Sequence, residues 1–460
     1  MPRSATTTLS LLVLLGCVPS AWACGALEDQ ASATAPHLAG APRTEAAGAL
    51  DEGAAAGVDD EPAGSELLWE PRETDPAVAA HPIEDPNGHA LDAFYAALSR
   101  TDDGEEGALT RVSHMGDSSI GMDQLPHYLR TRFQDRFGDG GTGFVLLQPH
   151  GTNYRNNTVH LSTPAPWDFC FVIFRCQSDG HYGLGGVSAD SRGGATTLFH
   201  TRRRGDYGRS ASRLDLFYAA QPRGGLLELR IDDDTPVRID TAAEQLVDRY
   251  HELSVPPGPH RVRVRAAGRG AVRAYGLVLE TEGPGVVWDT LSMIGAFTVR
   301  LLSQDPEHFR DQLAHRQSDL VVLGYGGNDL RRHVGGGAGI EQLTEETTEL
   351  LRRVKAARPE ISCLLTGVVE HERSGQTRIR PEHVQAVVDA QRAAAREAGC
   401  AFFDVYGAMG GAGSFRRWQR QGLAAADLKH LSPRGRQRLA SWMYDALVSG
   451  YVTWRRAGGG

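Results

Sequence analysis

Four short stretches of the chain carry groups suited to acyl transfer. Gly116-Asp117-Ser118 offers a hydroxyl and Gly326-Gly327-Asn328-Asp329 a primary amide. Asp427-Leu428-Lys429-His430 offers an imidazole with a carboxylate three residues before it, and Gly295 adds a backbone N–H. Attack on a carbonyl needs a nucleophile, a base to take its proton, a group that fixes the base's tautomer, and donors aimed at the developing oxyanion. Ser118 fits the nucleophile, His430 the general base and then acid, and Asp427 the acceptor of the Nδ1 proton. The N–H groups of Ser118 and Gly295 and the Asn328 amide fit an oxyanion hole, in which each donor is worth about 3 kcal/mol of barrier. Singly, each stretch is common by chance, and Ser118 alone reads as a helix N-cap. Their order and their placement at strand ends or helix starts carry the weight.

The elements that must position these groups follow an α/β rhythm. Leu91, Phe94, Tyr95 and Leu98 recur at helical spacing, Leu109 to His114 reads as a strand, and Leu125, Leu129, Phe133 and Phe137 mark a helix that Gly138 stops. After about 285, strands at 320–323, 361–368 and 400–405 alternate with helices at 345–357 and 382–398, and Ser432-Pro433 opens a last helix through Leu447. Such alternation implies a parallel sheet covered by helices on both faces, with functional groups at the strands' C-terminal ends. Between these halves the period changes to two: Leu227, Leu229 and Ile231, then Val262 and Val264, alternate with polar residues between Gly- and Pro-rich turns. The reading is an all-β sandwich or jelly roll inserted into an α/β domain. Its expected bounds are 89–145 and 286–450 for the α/β parts, 146–285 for the insertion and 451–460 for a tail.

The 460 residues carry 48 Lys and Arg against 57 Asp and Glu, a formal charge of −9, which argues against a nucleic-acid partner. Residues 25 to 85 hold fourteen acids and two bases, 2 − 14 = −12, so the rest nets −9 + 12 = +3. That acidic stretch, poor in aromatics, reads as a disordered linker over 24–88. Before it, Arg3, the apolar run Leu9 to Leu15 and Ala21-Trp22-Ala23 read as an export signal over 1–23, placing the protein in the periplasm, on the cell surface or outside the cell. Leu14-Leu15-Gly16-Cys17 fits a lipobox as well as a chance Cys in a cleaved signal, so a lipid anchor on Cys17, the sole membrane attachment expected, stays open.

The four stretches resemble the sequence blocks of the SGNH (GDSL-type) hydrolase superfamily, with Ser118, Gly295, Asn328 and the pair Asp427 and His430 at matching positions. The resemblance implies a three-layer, flavodoxin-like α/β fold and a serine esterase or acyltransferase needing neither cofactor nor metal. Gly138 to Phe144, a β insertion between the first two blocks, and Trp288-Asp289 before the second resemble exported peptidoglycan O-acetylesterase-like members. They imply an O-acetylated carbohydrate, peptidoglycan among the candidates, as the partner. A transferase using the same triad and an inactive surface carbohydrate-binding protein are the alternatives.

No metal is expected, since the His residues form no H-E-x-x-H and the six Cys no C-x-x-C. Cys170 and Cys176 could not pair if they shared one extended strand, being about 20 Å apart. Cys363 and Cys400 start neighbouring strands and could pair or stay thiols. Trp167, Phe169, Tyr182 and Tyr218 are candidates for stacking on sugar, with core packing the commoner use of such residues.

Overall fold

The computed structural model describes residues 79–374 and 377–459. The export signal, Cys17 and the acidic segment up to residue 78 lie outside the described residues. The first α/β part comprises α1 (Asp92–Asp102), β1 (Leu109–Gly116) and α2 (Gln124–Phe137). Next come β2 (Gly141–Leu146), β3 (Val159–Ala165), β4 (Asp168–Phe171), β5 (Val187–Ser191), β6 (Thr196–Thr201) and β7 (Ala211–Ala220). They are followed by β8 (Leu226–Ile231), β9 (Val237–Asp240), β10 (Val247–Gly258), β11 (Arg261–Ala267) and β12 (Val272–Glu280). The α/β part resumes with β13 (Gly285–Ser292), α3 (Thr298–Leu301), α4 (Pro306–Arg316), β14 (Leu320–Gly324), α5 (Gly327–Val334), α6 (Ile340–Ala357) and β15 (Ser362–Thr366). A two-residue ladder of β16 (Arg373–Ser374) and β17 (Thr377–Arg378) precedes α7 (Pro381–Ala398) and β18 (Ala401–Phe403). The chain ends in α8 (Val405–Ala408), α9 (Ser414–Arg420) and α10 (Pro433–Arg456).

Strands β13, β1, β14, β15 and β18 pair in that order, all parallel. This is the flavodoxin-like order: β13 lies on one side of β1 and β14 on the other, so the chain reverses its direction of winding at β1 and leaves a crevice at the C-terminal ends of β1 and β14. Val321 and Leu323 face one helical layer, with Leu313, Leu351 and Val387, while Leu320 and Val322 face the other, with Phe94, Leu129 and Leu447. Burial on both faces is why these strands read as unbroken apolar runs.

The inserted β part consists of antiparallel sheets, one ordered β3-β6-β11-β8-β9 and the other β10-β7-β12-β5-β4 with β2 also on β12. Their inner faces share a core that includes Val145, Phe199, Leu227, Val262 and Leu277. It starts earlier than the residue 146 expected from the sequence, because β2 already pairs antiparallel with β12. The Gly-rich stretch before it has a steric cause. At Gly143, with φ +81, a Cβ would lie 2.2 Å from Asp289 Oδ1, so only Gly lets the two parts approach.

Helix α4 joins the two parts. His308 Nδ1 lies 2.7 Å from Asp248 Oδ2 on β10 and His315 Nε2 2.7 Å from Asp215 Oδ2 on β7. Arg316 donates to Glu280 on β12 at 2.7 Å and to Asp289 on β13 at 2.8 and 3.0 Å. Burial opposes ionisation of Glu280, but Arg316 and Arg111 outweigh it and hold its carboxyl well below the usual range.

The structure corrects three further expectations. The folded body begins before residue 89: Glu84 N donates to Phe402 O at 2.7 Å and Phe402 N to Glu84 O at 2.8 Å, which covers the open edge of β18. The last helix continues through Arg456, and Tyr451 and Val452, expected in a tail, are buried. Cys170 and Cys176 form a disulfide with Cα atoms 5.8 Å apart, because β4 ends at Phe171 and a 3-10 turn with Arg175 in the left-handed region (φ 55°) reverses the chain. Cys363 and Cys400 are also bonded. Trp167, Tyr182 and Tyr218 are core residues, whereas Phe169 is 42% exposed.

Candidate active site

β1 delivers Ser118 to the crevice, and the turn after it is held from several sides. Asp117 N donates to Gly324 O at 3.2 Å, and Asp117 Oδ1 accepts Ser119 N at 2.8 Å. Met122 and Asp123 are forced to positive φ, 65° and 55°, and buried Arg130 pins Asp123 through two bonds of 3.1 Å while reaching Trp288 O at 2.8 Å. Helix α2 starts only at Gln124, so Ser118 is not its N-cap. Its hydroxyl is left free to face His430.

Ser118 Oγ lies 2.9 Å from His430 Nε2, and His430 Nδ1 lies 2.6 Å from Asp427 Oδ2. The other Asp427 oxygen accepts the N–H groups of Lys429 at 3.0 Å and His430 at 2.9 Å. Leu428, at φ 57°, lets this turn fold back on itself. Burial would raise the Asp427 pKa, but those N–H groups and the imidazole outweigh it and lower it. The carboxylate therefore stays ionised and accepts the Nδ1 proton, which leaves Nε2 to take the Ser118 proton.

Asn328 comes from the second residue of α5. The preceding Gly326 has φ +121°, and a Cβ there would sit 2.7 Å from Gln391 Nε2. The amide Nδ2 donates to Ala296 O at 3.0 Å and to Asp117 Oδ2 at 3.3 Å, while Oδ1 accepts Lys429 Nζ at 3.2 Å. Gly295 stands in the loop after β13, between Ile294, which packs on Gly121, and Ala296, which holds Asn328. Neither Ser118 N nor Gly295 N has an acceptor among the described residues. Asn328 is thus tied to Asp117, the residue before Ser118, and Gly295 to the loop that holds Asn328.

Beside Ser118 opens a cavity of about 60 Å3 walled by Ile120, Val369, His371, Leu439 and Met443. Burial pushes the pKa of His371 down to about 4 and that of Asp117 upward. Asp329 is raised to about 6 by burial although it accepts Thr298 N and Oγ1. Asp117 and Asp329 therefore shape loops. Lys429, Arg436 and His371 are the site neighbours that the motifs missed. Arg436 reaches Ser118 O at 3.4 Å and Gln124 Oε1 at 2.7 Å. The available signal was rarity: Lys429 and Lys355 are the chain's only lysines.

Two groups among the described residues combine metal-binding types, His181 with Asp248 and His308, and Asp215 with Glu252 and His315. The nitrogens of His308 are already used, Nδ1 by Asp248 and Nε2 as acceptor of Gly183 N at 2.7 Å. These groups lie at the α4 seam, not beside Ser118.

Residues 257–438 match the GDSL-like Lipase/Acylhydrolase family, a stretch that holds Gly295, Asn328, Asp427 and His430 and stops short of Ser118. Over that stretch the chain is similar to GDSL-like lipases and acylhydrolases. Among solved structures it is similar to one described as a peptidoglycan O-acetylesterase in action, with TM-score 0.67 and 22% identity over 81% of this chain and 99% of that one. At that identity the likeness is one of fold, here including the β insertion. A family two carbohydrate esterase from Cellvibrio japonicus matches with TM-score 0.24 and 13% identity over 64% of this chain and 98% of that one. A salicylyl-acyltransferase from a tetracycline biosynthetic pathway gives TM-score 0.29 and 13% identity over 66% and 98%. No curated protein matches the chain.

Proposed function

We propose that the protein is a serine esterase that removes O-acetyl groups from a cell-wall or extracellular carbohydrate. The hydrogen-bonded series Ser118–His430–Asp427, at 2.9 and 2.6 Å, carries this reading. In the first half-reaction Ser118 Oγ attacks the ester carbonyl as its proton passes to His430 Nε2. The oxyanion meets Ser118 N, Gly295 N and Asn328 Nδ2, the last turning a proton away from its long bond to Asp117. Collapse breaks the ester C–O bond, and the sugar oxygen leaves with the proton from His430. Water then attacks the acyl carbon as it loses a proton to the same nitrogen, and collapse breaks the bond to Ser118 Oγ, which takes that proton back as acetate leaves. The small cavity beside Ser118 favours a short acyl group, and the peptidoglycan O-acetylesterase fold makes that glycan the first substrate to try.

The two disulfides support an oxidising compartment, in keeping with an exported protein. The deciding experiment is acetate release from O-acetylated peptidoglycan, acetylated xylan and a small aryl acetate by wild type and Ser118→Ala. Release from a glycan that the substitution abolishes is expected. A folded wild type that frees no acetate from any of them would overturn the proposal.

A further inference from the structure

The β insertion reaches the active-site rim through the loop closed by Cys170–Cys176. Ile173 of this loop packs on Gly295, its Cδ1 lying 3.8 Å from where a Cβ would stand, and Val172 meets Met293 around Gly186. Arg175 of the loop, Phe297, Val299, Arg300, Leu302 and Ser303 after β13, and Arg332 of α5 line one open groove. Arg332 is one helical turn, about 6 Å, past Asn328 on α5.

Charge in this groove is only partly compensated. Arg332 is held by Glu346 at 2.8 Å, and the neighbouring Asp329 is taken up by Thr298. The guanidinium groups of Arg175 and Arg300 have no partner among the described residues. Two like charges facing one groove repel unless an anion joins them. The backbone also works against a bulky residue at 175. At φ 55° and ψ 38° a non-Gly residue is strained, yet Arg stands there, tied down by the adjacent disulfide. Next to it Phe174 is 66% exposed, the most exposed large apolar side chain among the described residues, and it offers a flat face to a sugar ring.

We propose that this groove binds a carboxylate-bearing segment of the glycan, with Arg175 and Arg300 gripping the carboxylate and Phe174 the neighbouring ring. The proposal rests on the esterase reading and names its substrate class as an acidic O-acetylated glycan. A pair of guanidinium forks from two elements matches the planar geometry of a carboxylate. The carboxylate could belong to the sugar ring or to a substituent carried on it.

The test compares wild type, Arg175→Gln, Arg300→Gln and the double variant on three substrates: O-acetylated polygalacturonate oligomers, with ring carboxylates; O-acetylated peptidoglycan fragments, with substituent carboxylates; and neutral acetylated xylo-oligosaccharides. Expected is a wild-type preference for one of the acidic substrates, which identifies the source of the carboxylate. In the double variant KM for that substrate rises about tenfold, the order expected for losing a pair of charge-assisted contacts, and kcat changes far less. Raising salt from about 50 to about 500 mM should weaken the same preference by screening. Equal kcat/KM for acidic and neutral substrates, or an unchanged KM in the folded double variant, would overturn the proposal. Calorimetric binding of unacetylated polygalacturonate oligomers and peptidoglycan fragments by Ser118→Ala, with and without the Arg substitutions, reads the groove independently. It separates failure of the groove from failure of the esterase reading.

Discussion

Lys429 Nζ lies 3.2 Å from Asn328 Oδ1, and this contact fixes which way round the amide stands. An ammonium group only donates, so it can sit against the oxygen and never against Nδ2. The nitrogen is thereby turned toward Asp117 and Ala296. Burial lowers the Lys429 pKa, while Asp117 opposes that shift. Lys429→Met should therefore reduce kcat on an aryl acetate by about tenfold with little change in KM, the size of a weakened oxyanion donor. Lys429→Arg should recover part of it. Activity of the Met variant equal to wild type would show that the amide holds its orientation unaided.

Ser118→Ala and His430→Ala should each lower turnover by about 10^3-fold or more, and combining them should cost little beyond either alone, since they act as one unit. Asp427→Asn should cost less, because its Oδ1 can still accept the N–H groups of Lys429 and His430 that hold the turn. A fluorophosphonate probe should label wild type at one serine and leave Ser118→Ala unlabelled. Equal, small losses in all three variants would contradict the assigned roles.

The cavity of about 60 Å3 beside Ser118 suits a short acyl group better than a long one. Nitrophenyl acetate should exceed nitrophenyl octanoate in kcat/KM by at least about tenfold, as forcing extra methylenes into a space too small for them costs more than about 1.4 kcal/mol in overpacking. A preference for the longer ester would assign the protein to lipid chemistry instead.

His114 is buried against Trp288 and kept neutral down to about pH 3, against an ordinary value of 6.5. Below 6.5 the unfolded chain binds a proton here that the folded chain refuses. This contribution is therefore complete above pH 6.5 and is lost as the pH falls, by about 1.4 kcal/mol per pH unit. His371, neutral to about 4, acts in the same direction. The difference in unfolding free energy between wild type and His114→Gln should shrink by that slope between about pH 6 and 4. A difference independent of pH would mean that His114 can be protonated in place.

Removing Cys363–Cys400, which spans 37 residues, should lower stability by about 4 kcal/mol on the chain-entropy relation, and Cys170–Cys176, which spans 6, by about 2. Denaturant melts of the two double Cys→Ser variants measure both. Loss of the shorter bridge should also raise glycan KM, through the position of Arg175.

The parallel sheet and its helices were legible because burial on both faces writes long apolar runs, as at Leu320 to Leu323, and because α2 repeats its apolar residues every four positions. The four motif stretches were legible because each ends a strand or starts a helix. The Cys170–Cys176 bridge was hidden: a strand ends at Phe171 with no Gly or Pro to mark it, and the reversal depends on Arg175 in the left-handed region. Lys429, Arg436 and His371 were hidden because their partners come from elements far away in sequence. Glu84 was hidden because it pairs through its backbone, which leaves no pattern in side-chain types.

Helix α4 has a consequence for anyone who would dissect the molecule. Cut loose as a separate unit, the β insertion would keep Asp215, Asp248 and Glu280 but lose His315, His308 and Arg316, leaving Asp248 to His181 and Glu280 to Arg213 at longer range. Grip and chemistry in this protein are therefore parts of one casting, not a tool and a detachable handle.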